Sequence, residues 1–352
     1  MGKTRFGMLG TGRITDWVLK GAVLEPRFEA AAVCSRSEES GKAFALSHGI
    51  PKVYTDFDAM ASDPDIDAIY IGTPNDTHKD FAIKALSRGK HVLCEKPMAS
   101  SAAEVEEMAA EARRSGMVLM EAMISTLSPN FKVLRENVRN LGKARHYSAS
   151  FCQYSSKYAQ LKRILSGEDD SPVPSSFNPD RSGGALMDIG IYTIYPMVAL
   201  FGAPKGLSAK VTTLEVPTRS GMRPIDLQGC AIFDYDGMSA EVVYSKIADS
   251  KLRTEISCDD GIVSADQIHI IKDVCLTRRG EATSGRSAMP SAMDITVTSD
   301  SDEYQCEFRE FIDVIESGKT ESETNTLDTS ITVARLMEEI RRSAGIQFPS
   351  DK

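Results

Sequence analysis

Arg5-Phe6-Gly7-Met8-Leu9-Gly10-Thr11-Gly12-Arg13-Ile14-Thr15 decides the fold of the first part of the chain. Residues 5–9 read as a buried strand, Gly10-Thr11-Gly12 as a tight turn, and Trp17, Val18, Leu19 and Val23 as part of the helix that follows. The first glycine permits the turn. The second lets a pyrophosphate approach the backbone, and the helix N-terminus offers amide donors and the favourable end of its dipole. Thr15 stands where a third glycine would allow close helix–strand packing. A G-x-G alone matches many plain turns. Its position between a buried strand and a helix makes it a dinucleotide-binding signal, with Gly10, Thr11, Gly12, Arg13 and Ile14 as the phosphate-side residues.

Outward from this turn, apolar strands at 28–34, 53–54, 67–72, 90–94 and 118–122 alternate with helices at 37–48, 57–61, 79–87 and 101–115. In the last helix Ala102, Val105, Met108, Ala109 and Ala112 recur at helical spacing. Strands that are continuous apolar runs and alternate with helices imply a parallel sheet covered on both faces. Near residue 125 the pattern changes. A helix at 129–140 and a strand at 144–153 precede a Ser-, Pro-, Asp- and Gly-rich stretch, 155–184, expected to be a long loop. A helix at 186–200 leads into strands expected at 206–216, 227–235, 238–247, 252–258, 261–265, 268–277 and 292–298. Asp236-Gly237 and Asp260-Gly261 read as hairpin turns. Residues 278–291 read as a mobile loop, and amphipathic helices at 303–317 and 327–344 close the chain. The expected fold is α/β: a Rossmann domain, 1–124, followed by an α+β domain, 125–352, with a large, mainly antiparallel open sheet.

A length of 352 residues fits two domains at about 150 residues each. A net charge of −9 argues against a nucleic-acid binder, which needs a basic face. The seven cysteines are scattered and form no C-x-x-C pair, which suits free thiols in a reducing cytoplasm. The five histidines form no H-E-x-x-H motif, and no metal is expected. Met1-Gly2-Lys3-Thr4 leads at once into a strand, so no signal peptide is expected; Phe6 stands where a myristoylation motif wants Ser or Thr. No apolar run reads as approaching the ~18 residues of a membrane span.

The second strand ends in Cys34-Ser35-Arg36-Ser37, with no carboxylate to take a ribose 2′-hydroxyl. A hydroxyl beside a guanidinium suits a 2′-phosphate, so Ser35 and Arg36 point to NADP(H), with NAD(H) as the alternative cofactor. Arg36 as a solvated helix-start residue is the competing reading. Glu95-Lys96-Pro97 follows the strand HVLC, and a lysine there points into the ligand crevice of an open parallel sheet. Alone it would be an ordinary surface lysine. Downstream, Gly183-Gly184-Ala185-Leu186-Met187-Asp188-Ile189-Gly190-Ile191-Tyr192 places Asp188 and Tyr192 four apart, on one face of a helix.

These motifs, with Thr73-Pro74-Asn75-Asp76-Thr77-His78, resemble the Gfo/Idh/MocA oxidoreductases over nearly the whole chain. Tyr rather than His at 192, and Met120-Glu121-Ala122, resemble the dimeric dihydrodiol dehydrogenase and glucose–fructose oxidoreductase branch. The resemblance implies Tyr192 as acid/base for the substrate hydroxyl or carbonyl, Lys96 as the cation orienting cofactor ribose and substrate oxygen and favouring tyrosinate, and Asp188 as their hydrogen-bonding partner. It implies Thr73, Pro74, Asn75, Glu95 and Pro97 along the cofactor cleft. His78 is open between a cofactor contact and packing. Thr126 stands where relatives often carry Arg, so the pocket is expected to differ there. Tyr154, Lys157, Asn178 and Arg181 are candidate substrate contacts, each also readable as a solvated loop residue. The implied substrate is a sugar, polyol or cyclic diol. A homodimer through the second domain, with neither a nucleic-acid nor a membrane partner, is expected. The alternative function is a dinucleotide sensor without chemistry; a third reading is a bifunctional enzyme with tightly held cofactor.

Overall fold

The computed structural model describes residues 2–280, 282–283, 286–287 and 291–351. The chain forms two compact units. One comprises the chain up to Leu127 with Ser301–Ala334; the other comprises Ser128–Asp300 with the chain from Arg335 onward. The sequence suggested a single boundary after residue 124.

In the first unit the order is β1 (Thr4–Leu9), α1 (Arg13–Ala22), β2 (Phe28–Cys34), α2 (Glu38–His48), β3 (Lys52–Tyr54), α3 (Phe57–Ala61), β4 (Ala68–Ile71), α4 (His78–Ser87), β5 (His91–Glu95), α5 (Ala102–Ser115) and β6 (Leu119–Ala122). All pair in parallel, in the order β3-β2-β1-β4-β5-β6. This is the doubly wound arrangement, whose ligand crevice lies where the order reverses, beyond the ends of β1 and β4. Local chemistry sets the helix ends. Ser37 and Ser101 cap α2 and α5 by accepting the amides of Ser40 and Glu104, and Gly49 and Gly116 end them in the left-handed conformation. The core has two faces. Ile69, Ile71, Met108 and Leu119 pack on one; Phe6, Phe28, Leu93 and Met120 pack on the other. Helix α9 (Glu303–Glu316), though remote in sequence, belongs here: Phe308 lies 5.1 Å from the Phe6 ring and edge-on to Phe28 at 5.0 Å. Its amphipathic pattern was legible, but periodicity says nothing about which sheet a helix covers.

The second unit holds α6 (Pro129–Arg139), β7 (Ala144–Cys152), α7 (Ser156–Leu165), a π-turn (Leu186–Gly190) continuing into α8 (Ile191–Phe201), β8 (Gly206–Thr218), β9 (Gly221–Tyr235), β10 (Met238–Ser245), β11 (Thr254–Cys258), β12 (Gly261–Ala265), β13 (Val274–Arg278), β14 (Ala282–Thr283), β15 (Arg286–Ser287) and β16 (Met293–Asp294). Helix α10 (Leu327–Ser343) is divided, its residues up to Ala334 belonging to the first unit and the rest to the second. Eight strands form one sheet, ordered β16-β13-β12-β11-β7-β10-β9-β8 and antiparallel except for β7 with β10. The expected mainly antiparallel sheet is therefore present.

Several local expectations are corrected. Helix α7 occupies part of the expected 155–184 loop, begun by Ser155, which caps the Lys157 amide. The strand expected at 268–277 is only Val274–Arg278, and that at 292–298 only Met293–Asp294. The second hairpin turns on Asp259-Asp260, since Gly261 already pairs with Cys258. Within 278–291, β14 and β15 pair with each other, while residues 281, 284, 285 and 288–290 of that expected loop lie outside the described residues. One stretch, Pro179–Phe201, is by length and composition apolar enough to cross a membrane, contrary to the sequence reading, and 72% of its apolar window is buried inside the protein. That hydropathy serves a core helix. None of the seven cysteines forms a disulfide.

Candidate active site

The glycine turn is built as a phosphate cradle. Gly10 has φ +107°, and a Cβ there would stand 2.9 Å from the Gly72 carbonyl oxygen, so the close approach of the two strand ends requires glycine. Nothing lies within 4 Å of where a Cβ of Gly12 would project. Gly12 caps α1 without a side-chain acceptor, which leaves first-turn amides for an anion. These residues fit a dinucleotide pyrophosphate. Thr15, fully buried, fills the place of the third glycine because Gly72 makes room: a Cβ on Gly72 would lie 2.9 Å from Thr15 Oγ1. Arg13 is exposed and stacks 4.9 Å over Trp17; Ile14 is half-buried.

At the end of β2, Ser35 is buried, its hydroxyl 3.5 Å from Thr11 Oγ1 and 2.7 Å from Ser40 Oγ. Arg36 beside it is exposed. Ser35 thus ties the two loops that a dinucleotide phosphate and ribose would touch.

Beyond β4, Thr73 accepts a hydrogen bond from Thr77 Oγ1 at 2.8 Å, and Pro74 and Asn75 enter a short 3-10 turn. His78 has no exposed surface. Its ring nitrogens face the carbonyls of Thr73 (2.8 Å) and Pro97 (3.0 Å), and burial holds its pKa below the ordinary value, so a neutral ring donates to one of them. We assign it to bracing the two loops, the packing alternative.

Lys96 is half-buried at the end of β5, and its peptide bond to Pro97 is cis. Two buried carboxyls hold this turn. Glu95 accepts from the Tyr70 hydroxyl (2.8 Å) and the Lys96 amide (3.2 Å); burial raises its pKa against the pull of Lys96. Glu121 accepts from the Met98 amide (2.9 Å), and burial pushes its pKa up to about 7. Thr126 is wholly buried and donates to Asn325 Oδ1 (2.5 Å), so this position is an internal joint rather than a pocket residue.

In the second unit Asp188 sits within the π-turn, and Tyr192 is the second residue of α8. Tyr192 is half-buried, edge-on to Phe151 at 5.7 Å and to His269 at 6.1 Å; His269 stacks on Phe151 at 3.8 Å. Asp188 forms an ion pair with Lys246, a buried lysine directly after β10. Asp226, also buried, accepts the Leu186 amide at 2.6 Å, and burial raises its pKa to about 6. Gly184 explains part of the glycine pair at 183–184: with φ +117°, its Cβ would lie 2.0 Å from Asp226 Oδ1.

The substrate candidates lie just before α7, on it, and in the 3-10 turns at 175–181. Tyr154 is exposed and takes a hydrogen bond from Lys162 (3.2 Å). Lys157 lies exposed on α7, its Nζ 3.4 Å from Gln160 Oε1. Asn178 spends its carbonyl on the Asp180 amide (2.9 Å), and Arg181 is half-buried in the turn that follows. Lys246 and Asp226 were missed. Lys246 carried a signal: it continues the inward alternation Ala240, Val242, Tyr244 along β10, a register where a lysine needs a partner.

A parallel sheet with a glycine cradle at its switch point defines a dinucleotide-binding Rossmann protein. The family described as "Oxidoreductase family, NAD-binding Rossmann fold" matches residues 4–123, and the "GFO/IDH/MocA C-terminal domain" matches residues 133–264. The chain belongs to the Gfo/Idh/MocA oxidoreductase family. It is 40% identical to scyllo-inositol 2-dehydrogenase (NADP(+)) IolU of Bacillus subtilis (strain 168), over 99% of both chains. It is 30% identical to trans-1,2-dihydrobenzene-1,2-diol dehydrogenase of Sus scrofa, again over 99% of both. Levoglucosan dehydrogenase, solved with NADH and levoglucosan, shares the fold with a TM-score of 0.82 at 19% identity, covering 97% of each chain.

Proposed function

We propose that this protein is an NADP(H)-dependent dehydrogenase that moves a hydride between the nicotinamide and a secondary alcohol or carbonyl of a polyol, sugar or cyclic diol. The observation that carries the reading is the Asp188–Tyr192 pair, a carboxylate held by a buried ammonium and a half-buried phenol one turn further on, in a chain that carries Lys96 on a doubly braced turn. The 40% identity to an NADP(+)-dependent scyllo-inositol dehydrogenase supports a cyclic polyol as the first substrate to test. The nicotinamide supplies hydride chemistry when bound. Gly10, Thr11, Gly12, Arg13 and Ile14 would hold the pyrophosphate, Ser35 and Arg36 the 2′-phosphate, and Thr73, Pro74 and Asn75 the neighbouring cleft. Lys96 orients the ribose and substrate oxygen. Tyr192 exchanges the proton of the substrate hydroxyl, and Asp188 positions that exchange.

The test is turnover of scyllo-inositol, D-xylose and a trans-dihydrodiol with NADP+ and NAD+, in wild type and in K96A and Y192F. Both variants are expected to lose turnover by about a hundredfold or more, within the usual span of acid–base contributions, while still binding NADPH. Wild-type turnover in both would refute the assignment. Hydride transfer by the wild type with none of the panel would favour the sensing alternative.

We also propose a cytoplasmic homodimer. The outer face of the eight-stranded sheet supports it, with Ile232 on β9 (56% exposed) and Val243 on β10 (38%) pointing outward. A monomer by sedimentation at micromolar concentration would overturn this.

A further inference from the structure

We propose that Lys246 is a positioning residue, a buried cation that fixes the Asp188 carboxylate of the π-turn relative to Tyr192. This rests on the role given to Asp188 and Tyr192 above. A continuous α-helix through residues 186–200 would align positions four apart without help. The protein does not form one there: Leu186–Gly190 is a π-turn, with i→i+5 bonding, and α8 begins only at Ile191. The wider π register displaces Asp188 from the α-helical alignment with Tyr192, and Lys246 is the group that holds the displaced carboxylate.

Lys246 is built for that task. Its side chain is 5% exposed, against 39% for Asp188, so the ammonium holds the carboxylate from the buried side. Its backbone is fixed on both sides: its amide donates to the Leu227 carbonyl (2.9 Å), and its carbonyl accepts from the Ser155 amide (2.9 Å). The ammonium lies 4.7 Å over the Phe177 ring, a favourable seat for a desolvated cation. Asp226, whose carboxylate is stabilised by Lys246, holds the Leu186 amide at the head of the same turn. Asp226 thus anchors the start of the π-turn, and the Lys246–Asp188 ion pair holds its middle. A buried lysine without a partner is costly, so the ion pair is not a solvated surface contact.

The test compares K246M, K246Q and K246R with wild type and Y192F, using scyllo-inositol and D-xylose with NADP+. The expected result for K246M and K246Q is a loss of kcat of tenfold or more, a smaller change in KM, and an NADPH Kd within twofold of wild type. K246R, which keeps the charge, should recover part of kcat. A larger primary deuterium isotope effect on kcat in K246M would mark a slowed chemical step. If Y192F is inactive while folded K246M or K246Q turns over like wild type, the Lys246 proposal falls and the site reading stands. If Y192F is fully active, the site reading falls and takes this proposal with it. If neither K246M nor K246Q folds, Lys246 is a folding residue and the assignment is overturned.

Discussion

Glu121→Gln offers a measurement whose size follows from the structure. Glu121 is 2% exposed on β6, and its carboxyl accepts the Met98 amide below the Lys96 turn. Burial, partly offset by hydrogen bonds from Ser330 and Met98, pushes its pKa from 4.5 to about 7. The unfolded chain releases this proton first. The group's contribution is therefore intact below pH 4.5, falls as pH rises towards 7, and stays lost above it. At about 1.4 kcal/mol per pH unit, that interval is worth about 3 kcal/mol. Glutamine keeps the volume and the carbonyl acceptor but does not ionise. The difference in stability between E121Q and wild type should therefore grow between pH 5 and 7.5 and then level off. In a unit of this size about 3 kcal/mol corresponds to roughly 6–12 °C in Tm. Thermal unfolding of both proteins, freed of dinucleotide, at half-unit pH steps measures it. Other buried acids titrate in the same range, and taking the difference between the two proteins removes their share. Parallel Tm curves from pH 5 to 8 would refute the reasoning.

Gly184→Ala should destabilise the second unit by several kcal/mol, on the order of the cost of strain plus a displaced buried group, because its Cβ meets Asp226 at 2.0 Å and its φ is +117°; a Tm within a degree or two of wild type would contradict this. Arg36→Ala should raise KM for NADP+ by roughly tenfold or more, the scale of a charge-assisted hydrogen bond, and leave NAD+ nearly untouched. Equal effects on both cofactors, by initial-rate kinetics, would make Arg36 the solvated residue of the competing reading.

The parts of this protein that were legible in the sequence are those whose causes are local. Gly10-Thr11-Gly12 announces its turn because left-handed backbone and close approach are properties of glycine itself. Strand and helix periods in the first 124 residues give the order of elements, and the rule that such units wind right-handedly gives the sheet. What was not legible depends on residues far apart in the chain. Thr15 looked like a defect in the fingerprint, and Gly72 absorbs it. Asp226 could not be found from its own neighbourhood, because its role is defined by the gap at Gly184 and the Leu186 amide some forty residues earlier. Helix α7 hid among Ser, Pro and Asp residues. The π-turn was invisible because 186–200 reads as one α-helix.

The buried acids share one physical cause. Regular structure satisfies its own amides, but a turn that must present a side chain in an unusual direction leaves amides unpaired. At Lys96 and Met98 the missing acceptors are Glu95 and Glu121; at Leu186 it is Asp226. Each carboxyl is desolvated, and each has a raised pKa in consequence. Stability given up there at neutral pH is thus linked to irregular backbone at the two places proposed to carry the chemistry. Glu307 is the contrast that sharpens the point: among the described residues neither carboxyl oxygen has a hydrogen-bond partner, so it serves no amide, and burial pushes its pKa well above the ordinary value. Substituting glutamine at Glu95, Glu121 or Glu307 therefore separates two effects. All three should gain stability at alkaline pH, but only E95Q, which loses one of the two oxygens that accept from Tyr70 and the Lys96 amide, should alter the Lys96 turn and, with it, turnover.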